Sequence, residues 1–164
     1  MAWVAMTDLD TDDLATAADM DAIRGNLEYL LNPNSETIKW TGGNKTPGGL
    51  ATWYDIDGTN LKIEIESFGG PIYIFAQFHW THTLVGGKGQ FDIEVDGSNV
   101  GGTDGLYHQE SRVAGNVFTA TLPYIAIGLA AGTHTLKLRF KTTANTLTVL
   151  GSANDAVIFS AVAY

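Results

Sequence analysis

From Leu61 to Tyr164, apolar residues recur at alternate positions in one run after another, and the runs are of two kinds. In LKIEIE (61–66), Leu61, Ile63 and Ile65 face one way while Lys62, Glu64 and Glu66 face the other. QFDIEVDG (90–97) sets Phe91, Ile93 and Val95 against Gln90, Asp92, Glu94 and Asp96, and THTLKLRFK (133–141) sets Leu136, Leu138 and Phe140 against Lys137, Arg139 and Lys141. Each of these reads as a strand with one dry and one wet face.

The second kind has no wet face. PIYIFAQFHW (71–80) puts Ile72, Ile74, Ala76, Phe78 and Trp80 on one side, and Tyr73 and Phe75 on the other. VFTATLPYIAIGL (117–129) opposes Phe118, Leu122, Tyr124 and Ala126 to Val117, Ile125 and Ile127. AVIFSAVAY (156–164) opposes Ile158, Val162 and Tyr164 to Val157, Phe159 and Ala161. A sandwich strand needs one face for the core, so a second apolar face needs a second cover. Left in water, such a sheet would aggregate. The pattern predicts an outer solvated sheet and an inner sheet covered twice, the second time by other copies of the chain. Either face of each inner strand could be the core face. The predicted interface set is therefore Tyr73, Phe75, Phe118, Tyr124, Val157, Ile158, Phe159, Val162 and Tyr164.

Upstream the period changes. Met20, Ile23, Leu27 and Leu30 recur at spacings of three, four and three, the stripe of a helix over about 16–31. Thr16 reads as its N-cap with Asp19 three residues on, Asp12 and Asp13 suit its positive end, and Asn32-Pro33 stops it. A lone helix of this length, with Gly25 inside it, is marginal in water, so its stripe must dock on its own domain or on neighbouring helices. Residues 1–34 thus read as an arm and helix, and residues 35–164 as one β-domain whose turns are marked by paired glycines.

Taken in chain order the strands alternate outer and inner: 61–66, 71–80, 90–97, 117–127, 133–142 and 156–164. That order resembles the jelly roll of the tumour-necrosis-factor and complement-head type. The resemblance implies an all-β jelly-roll sandwich that trimerises through its inner sheet, with the last strand near the three-fold axis. AGTHTLKLRFKTTANTLTVLGSANDAVIFSAVAY (131–164) is similar to the tail end of trimeric virion proteins of tailed bacteriophages. TAADMDAIRGNLEYL (16–30) is similar to a segment near the start of many phage tail, fibre and head-surface proteins. In such a protein the helical stripe becomes a seam between subunits.

Composition narrows the chemistry. The 164 residues carry a formal net charge of −9 with only nine Lys and Arg, which excludes the basic stripes that nucleic acid or an anionic membrane demands. There is no cysteine, hence no disulfide and no thiolate chemistry. The start MAWVAMTDLD lacks the basic region of a secretory leader, and no apolar run reaches the roughly 18 residues of a membrane helix.

No motif points to catalysis or to a cofactor. DLDTDD (8–13) misses the glycine and the glutamate of a calcium loop, whose places hold Asp13 and Asp19. His79 and His82 would point to opposite faces of a strand, and His108 and His134 are remote from them. None of Ser67, Ser98, Ser111, Ser152 and Ser160 sits in a nucleophile elbow. Trp53, Tyr54, Trp80 and Tyr107, near glycine-rich tips, are candidate platforms for a sugar ring or ordinary packing residues.

The expected function is that of a non-enzymatic structural virion protein, a homotrimer on the surface of a tailed phage as capsid decoration or short fibre. It would be made in the host cytoplasm. Its partners would be itself, capsid or tail proteins of the same particle, and host-surface glycan. Alternatives are a lectin-like receptor-binding fibre tip and a secreted adhesion or matrix domain.

Overall fold

The computed structural model describes residues 17–31 and 33–164. Helix α1 (Ala17–Leu31) is followed by eleven strands: β1 (Asn34–Trp40), β2 (Tyr54–Asp55), β3 (Lys62–Phe68), β4 (Ile72–His82), β5 (Lys88–Val95), β6 (Ser98–Asn99), β7 (Tyr107–Glu110), β8 (Val117–Ala126), β9 (Ala131–Thr142), β10 (Leu147–Val149) and β11 (Val157–Ala163). They form two antiparallel sheets. In sheet A the order is β1-β11-β4-β8, with β10 continuing the line of β11 along β4. In sheet B, β9 is flanked by β2 and β3 on one side and by β5 on the other, and β5 carries β6 and β7 on its free edge. The described residues form an all-β sandwich with one short helix.

The six strands read from alternation fall in the sheets expected of them. β3, β5 and β9 lie in sheet B; β4, β8 and β11 lie in sheet A. Their core faces interlock around Trp80, Phe78, Phe91, Phe140 and Phe159, all fully buried. Phe78 meets Phe91 edge-on at 4.9 Å between centroids, and Trp80 stacks on Phe118 at 4.7 Å. Each such side chain contributes about 1.5–3 kcal/mol by leaving water. The turn from β5 to β6 is a two-residue hairpin whose Asp96 and Gly97 have φ of 50° and 84°. Two positive φ values in succession match the right-handed twist of the flanking strands, which is why an Asp-Gly pair stands there.

Two expectations fail. Gln90, Asp92 and Glu94, expected on a wet face from alternation, are buried. The glycine-rich stretch 96–105, expected to be exposed turn, folds in part over that face: Gly101 N–H donates to Asp92 Oδ1 at 2.9 Å, and Gln90 Nε2 donates to Asp104 Oδ1 at 2.7 Å. Trp53 closes the same face. Lys141 Nζ lies 4.5 Å from its ring centre and donates to the Thr103 carbonyl at 2.5 Å, while Arg139 donates to the Trp53 carbonyl at 2.9 Å. The charges survive burial because they are paired. Arg139 binds Glu94 and lies 3.1 Å from Asp55, and Lys137 lies 3.4 Å from both acids.

The second failure concerns the interface set. Val157 and Phe159 are fully buried in the core, and Phe118 and Tyr124 pack against it. The register decides this, since Phe159 pairs with Ala76 and Trp80 with Phe118, residues of the core face of β4. These four lie on the core side of sheet A rather than on its outward face. On α1, Met20 and Leu27 are exposed and Ile23 is half-buried; the Leu30 side chain, the acidic run 8–13 and the Thr16 cap lie outside the described residues.

Candidate functional site: the outward face of sheet A

Because β1, β11, β4 and β8 pair in register, their outward side chains form rows across the sheet. The first row is Ser35, Val162, Tyr73 and Ile125; the second is Thr37, Ser160, Phe75 and Pro123; the third is Lys39, Ile158, Gln77 and Thr121. Farther along, His79 lies beside Thr119 and Thr81 beside Val117. The first two rows carry no charge, and Tyr164 extends them past the end of β11. Its ring meets Tyr73 edge-on at 5.7 Å, and Tyr73, Val162 and Tyr164 line a depression of about 270 Å³. Polar side chains take over toward the other end of the strands.

The apolar end is open to solvent. Tyr73, Phe75 and Tyr164 are 46%, 41% and 40% exposed, and Ile125 is 50% exposed. A buried aromatic ring removes about 150–250 Å² from water, so these three still show roughly 200–300 Å² between them. With Ile125, Val162 and Pro123 added, the patch falls in the range of the largest apolar patch on an ordinary monomer, which is often a functional surface. Five of the nine interface residues expected from sequence lie on this face: Tyr73, Phe75, Ile158, Val162 and Tyr164.

The polar end holds a hydrogen-bonded chain. Ser152 Oγ donates to Asp155 Oδ2 at 3.0 Å, and Asp155 Oδ1 meets His79 Nδ1 at 2.9 Å. The His79 contact, then that of Ser152, holds the Asp155 carboxyl below the usual carboxylate range. The acid stands between serine and histidine, so the histidine has no path to take the serine proton. His82 is buried and pairs with Thr142 at 3.0 Å, facing away from His79 as alternation requires. His134 Nδ1 lies 2.6 Å from Asp96, and its Nε2 lies 2.9 Å from the Ala130 carbonyl. Burial works against the charged ring; the Asp96 carboxylate and the carbonyl outweigh it and raise the pKa. Among the described residues no group of three or more acids and histidines is placed to hold a metal ion.

The four candidate sugar-stacking aromatics do not come together. Trp80 is fully buried in the core, which corrects its candidacy. Trp53 lies beneath Lys141, Tyr54 packs along Gly48 and Gly49, and Tyr107 lies against Phe91 with its hydroxyl donated to Gln109.

The fold and this surface define a class: a two-sheet antiparallel β-sandwich with one sheet face left apolar. No protein-family model and no curated protein matches the sequence. Among solved structures, the C-terminal domain of EclA, a sugar-binding protein, is similar with a TM-score of 0.36 and 13% identity, over 89% of this chain and 96% of that chain. A likeness at that level carries no functional conclusion.

Proposed function

We propose that the chain is a non-enzymatic structural protein that assembles as a homotrimer by closing the outward faces of sheet A around a three-fold axis. We further propose that the trimer is a surface component of a tailed-phage particle, as capsid decoration or short fibre. The observation that carries the trimer is the uncharged double row centred on Tyr73, Phe75, Val162 and Ile125. Half-exposed side chains of this size gain about 1 kcal/mol each on being covered. A closed ring covers the same patch on every copy, whereas an open contact would go on growing. The phage setting is supported by the resemblance of residues 131–164 to the tail end of trimeric virion proteins and of residues 16–30 to a segment near the start of many phage tail, fibre and head-surface proteins.

Sedimentation of the purified chain tests the assembly: the expected mass is three times 17.5 kDa. Val162→Asp puts a charge in the middle of the first row and should give folded monomers, since Val162 faces away from the core. A monomeric wild type would refute the trimer. For the phage setting, the chain is mixed with capsids stripped of surface proteins; binding with raised heat resistance is expected of a decoration protein, and its absence removes that role.

A further inference from the structure

Six of the nine cationic side chains have partners. Arg24 pairs with Asp21, Lys45 with Asp57 and Lys62 with Glu64, while Lys137, Arg139 and Lys141 are engaged on sheet B. Lys39, Lys88 and Arg112 have none among the described residues. Two of these three, Lys88 and Arg112, line one cavity of about 540 Å³ with His108, Gln109 and Glu110. Every residue that lines it is polar or charged, and it sits at the free edge of sheet B, where β5 pairs with β7.

The frame is firm. Lys88 stands opposite Glu110, and Gln90 opposite His108, in the β5–β7 ladder. Ser111 is held by its neighbours: its N–H donates to the Gly87 carbonyl at 2.8 Å, its carbonyl accepts from Gly86 N–H at 2.7 Å, and its Oγ donates to the Val113 carbonyl at 2.9 Å. Arg112 therefore leaves a fixed backbone. Gln109 Oε1 accepts from the Tyr107 hydroxyl, which leaves the amide nitrogen as a donor without a partner.

We infer that this cavity is a binding site for a sugar acid, a small ligand that carries one carboxylate and several hydroxyls. In a chain of net charge −9, an anion is attracted only where cations outnumber acids, as Lys88 and Arg112 outnumber Glu110 in this cavity. The Arg112 guanidinium presents paired donors that match a carboxylate, with Lys88 as a second positive charge. Glu110 accepts but cannot donate, so it suits hydroxyl groups and repels a second negative charge. That combination selects a carboxylated polyol over sulfate, phosphate or a neutral sugar. The site lies on the sheet opposite the apolar face and does not depend on the trimer.

The test is an amide-shift titration of the isotope-labelled full chain with sodium glucuronate, in parallel with glucose and with sodium sulfate. Saturable shifts at Lys88, His108, Gln109 and Arg112 with glucuronate alone are expected. Arg112→Gln, at an exposed position, should weaken the affinity by about tenfold, near 1.4 kcal/mol, and leave the rest of the spectrum in place. Glu110→Gln should admit sulfate. Absence of saturable shifts with glucuronate, equal shifts with glucose, or equal shifts with sulfate on the wild type would each overturn the assignment. Solution mass, read separately, reports the trimer whichever way the titration falls.

Discussion

Asp92 offers the most exacting test of how sheet B is covered. Its side chain is fully buried; Oδ1 accepts from Ile93 N–H at 2.8 Å and from Gly101 N–H at 2.9 Å, and Oδ2 lies 3.2 Å from the same Gly101 nitrogen. Asp92→Ala leaves two buried donors without an acceptor, each costing about 1–3 kcal/mol, partly offset because a buried charge is also removed. A net loss of about 2–4 kcal/mol follows, and at this chain length each kcal/mol lowers Tm by about 2–4 °C. Asp92→Asn keeps Oδ1 for both donors and drops the buried charge but sets an amide nitrogen where Oδ2 stood, so at neutral pH it should melt well above the alanine variant.

The pH dependence separates the two effects. Burial pushes the Asp92 carboxyl above its usual range, with the amide donors and the Arg139 charge opposing it. The native state therefore binds a proton more readily than the unfolded chain, and this group adds stability as pH falls toward the unfolded value of 3.8. Any advantage of Asp92→Asn over the wild type should shrink on acidification. Thermal melts followed by circular dichroism read all three proteins at neutral and mildly acid pH. An alanine variant that melts with the wild type, or an asparagine variant as damaged as the alanine one, would refute a buried, amide-satisfied Asp92 and with it the cover formed by part of the stretch 96–105.

The His134–Asp96 clasp titrates in another pH window, and its two members run in opposite directions. With the His134 pKa raised, its stabilisation is complete below the unfolded value of 6.5 and is lost as pH rises through the higher folded value, so the Tm gap between wild type and His134→Gln should narrow in mild alkali. Asp96, lowered, contributes above 3.8 and loses that contribution as acid takes the pH through its folded value; a gap that does not change across this range would count against the clasp. Gly105→Ala should be among the most damaging single-methyl changes, because φ there is +78° and a Cβ would stand 2.4 Å from the Phe91 carbonyl oxygen and 2.8 Å from the Trp53 ring. A loss of about 2 kcal/mol or more by denaturant melts is expected, and a neutral result would deny the close approach.

Strand sidedness was legible because period-2 alternation is a local property of each run. What alternation cannot say is which of two apolar faces is the core: β11 offers Val157 and Phe159 on one side, and Ile158 and Val162 on the other. Only cross-strand register, a long-range property, decides between them. The buried acids of β5 were misread for a related reason, since a polar residue at alternate positions reads as wet whether water or a loop lies above it. A signal was present in the pairing. Gln90, Asp92 and Glu94 of one strand face Lys141, Arg139 and Lys137 of the next, so an acidic strand lies against a basic one. Strands of opposite charge can neutralise each other and accept a lid. The cavity at Lys88 and Arg112 left no local trace either, because its residues come from β5 and from a stretch without periodicity.

The two sheets leave the molecule with sides of different character. Sheet A presents an uncharged double row that ends at Tyr164; sheet B neutralises the charges of β5 and β9 under a cover, keeps Glu64 and Glu66 of β3 in water, and opens a polar cavity at its β7 edge. Were sheet A to close on its copies, the β7 edge would stay on the outside, because it belongs to the opposite layer of the sandwich. Assembly and ligand binding would then use different surfaces, joined where the Tyr107 hydroxyl of β7 reaches the Thr119 carbonyl of β8, and a variant that breaks one should spare the other. Val162→Asp monomers should bind glucuronate as the wild type does, and Arg112→Gln should keep the wild-type mass. If the monomer lost the sugar acid, the cavity would have to draw on a neighbouring copy, and the apolar face could not be the whole of the subunit contact.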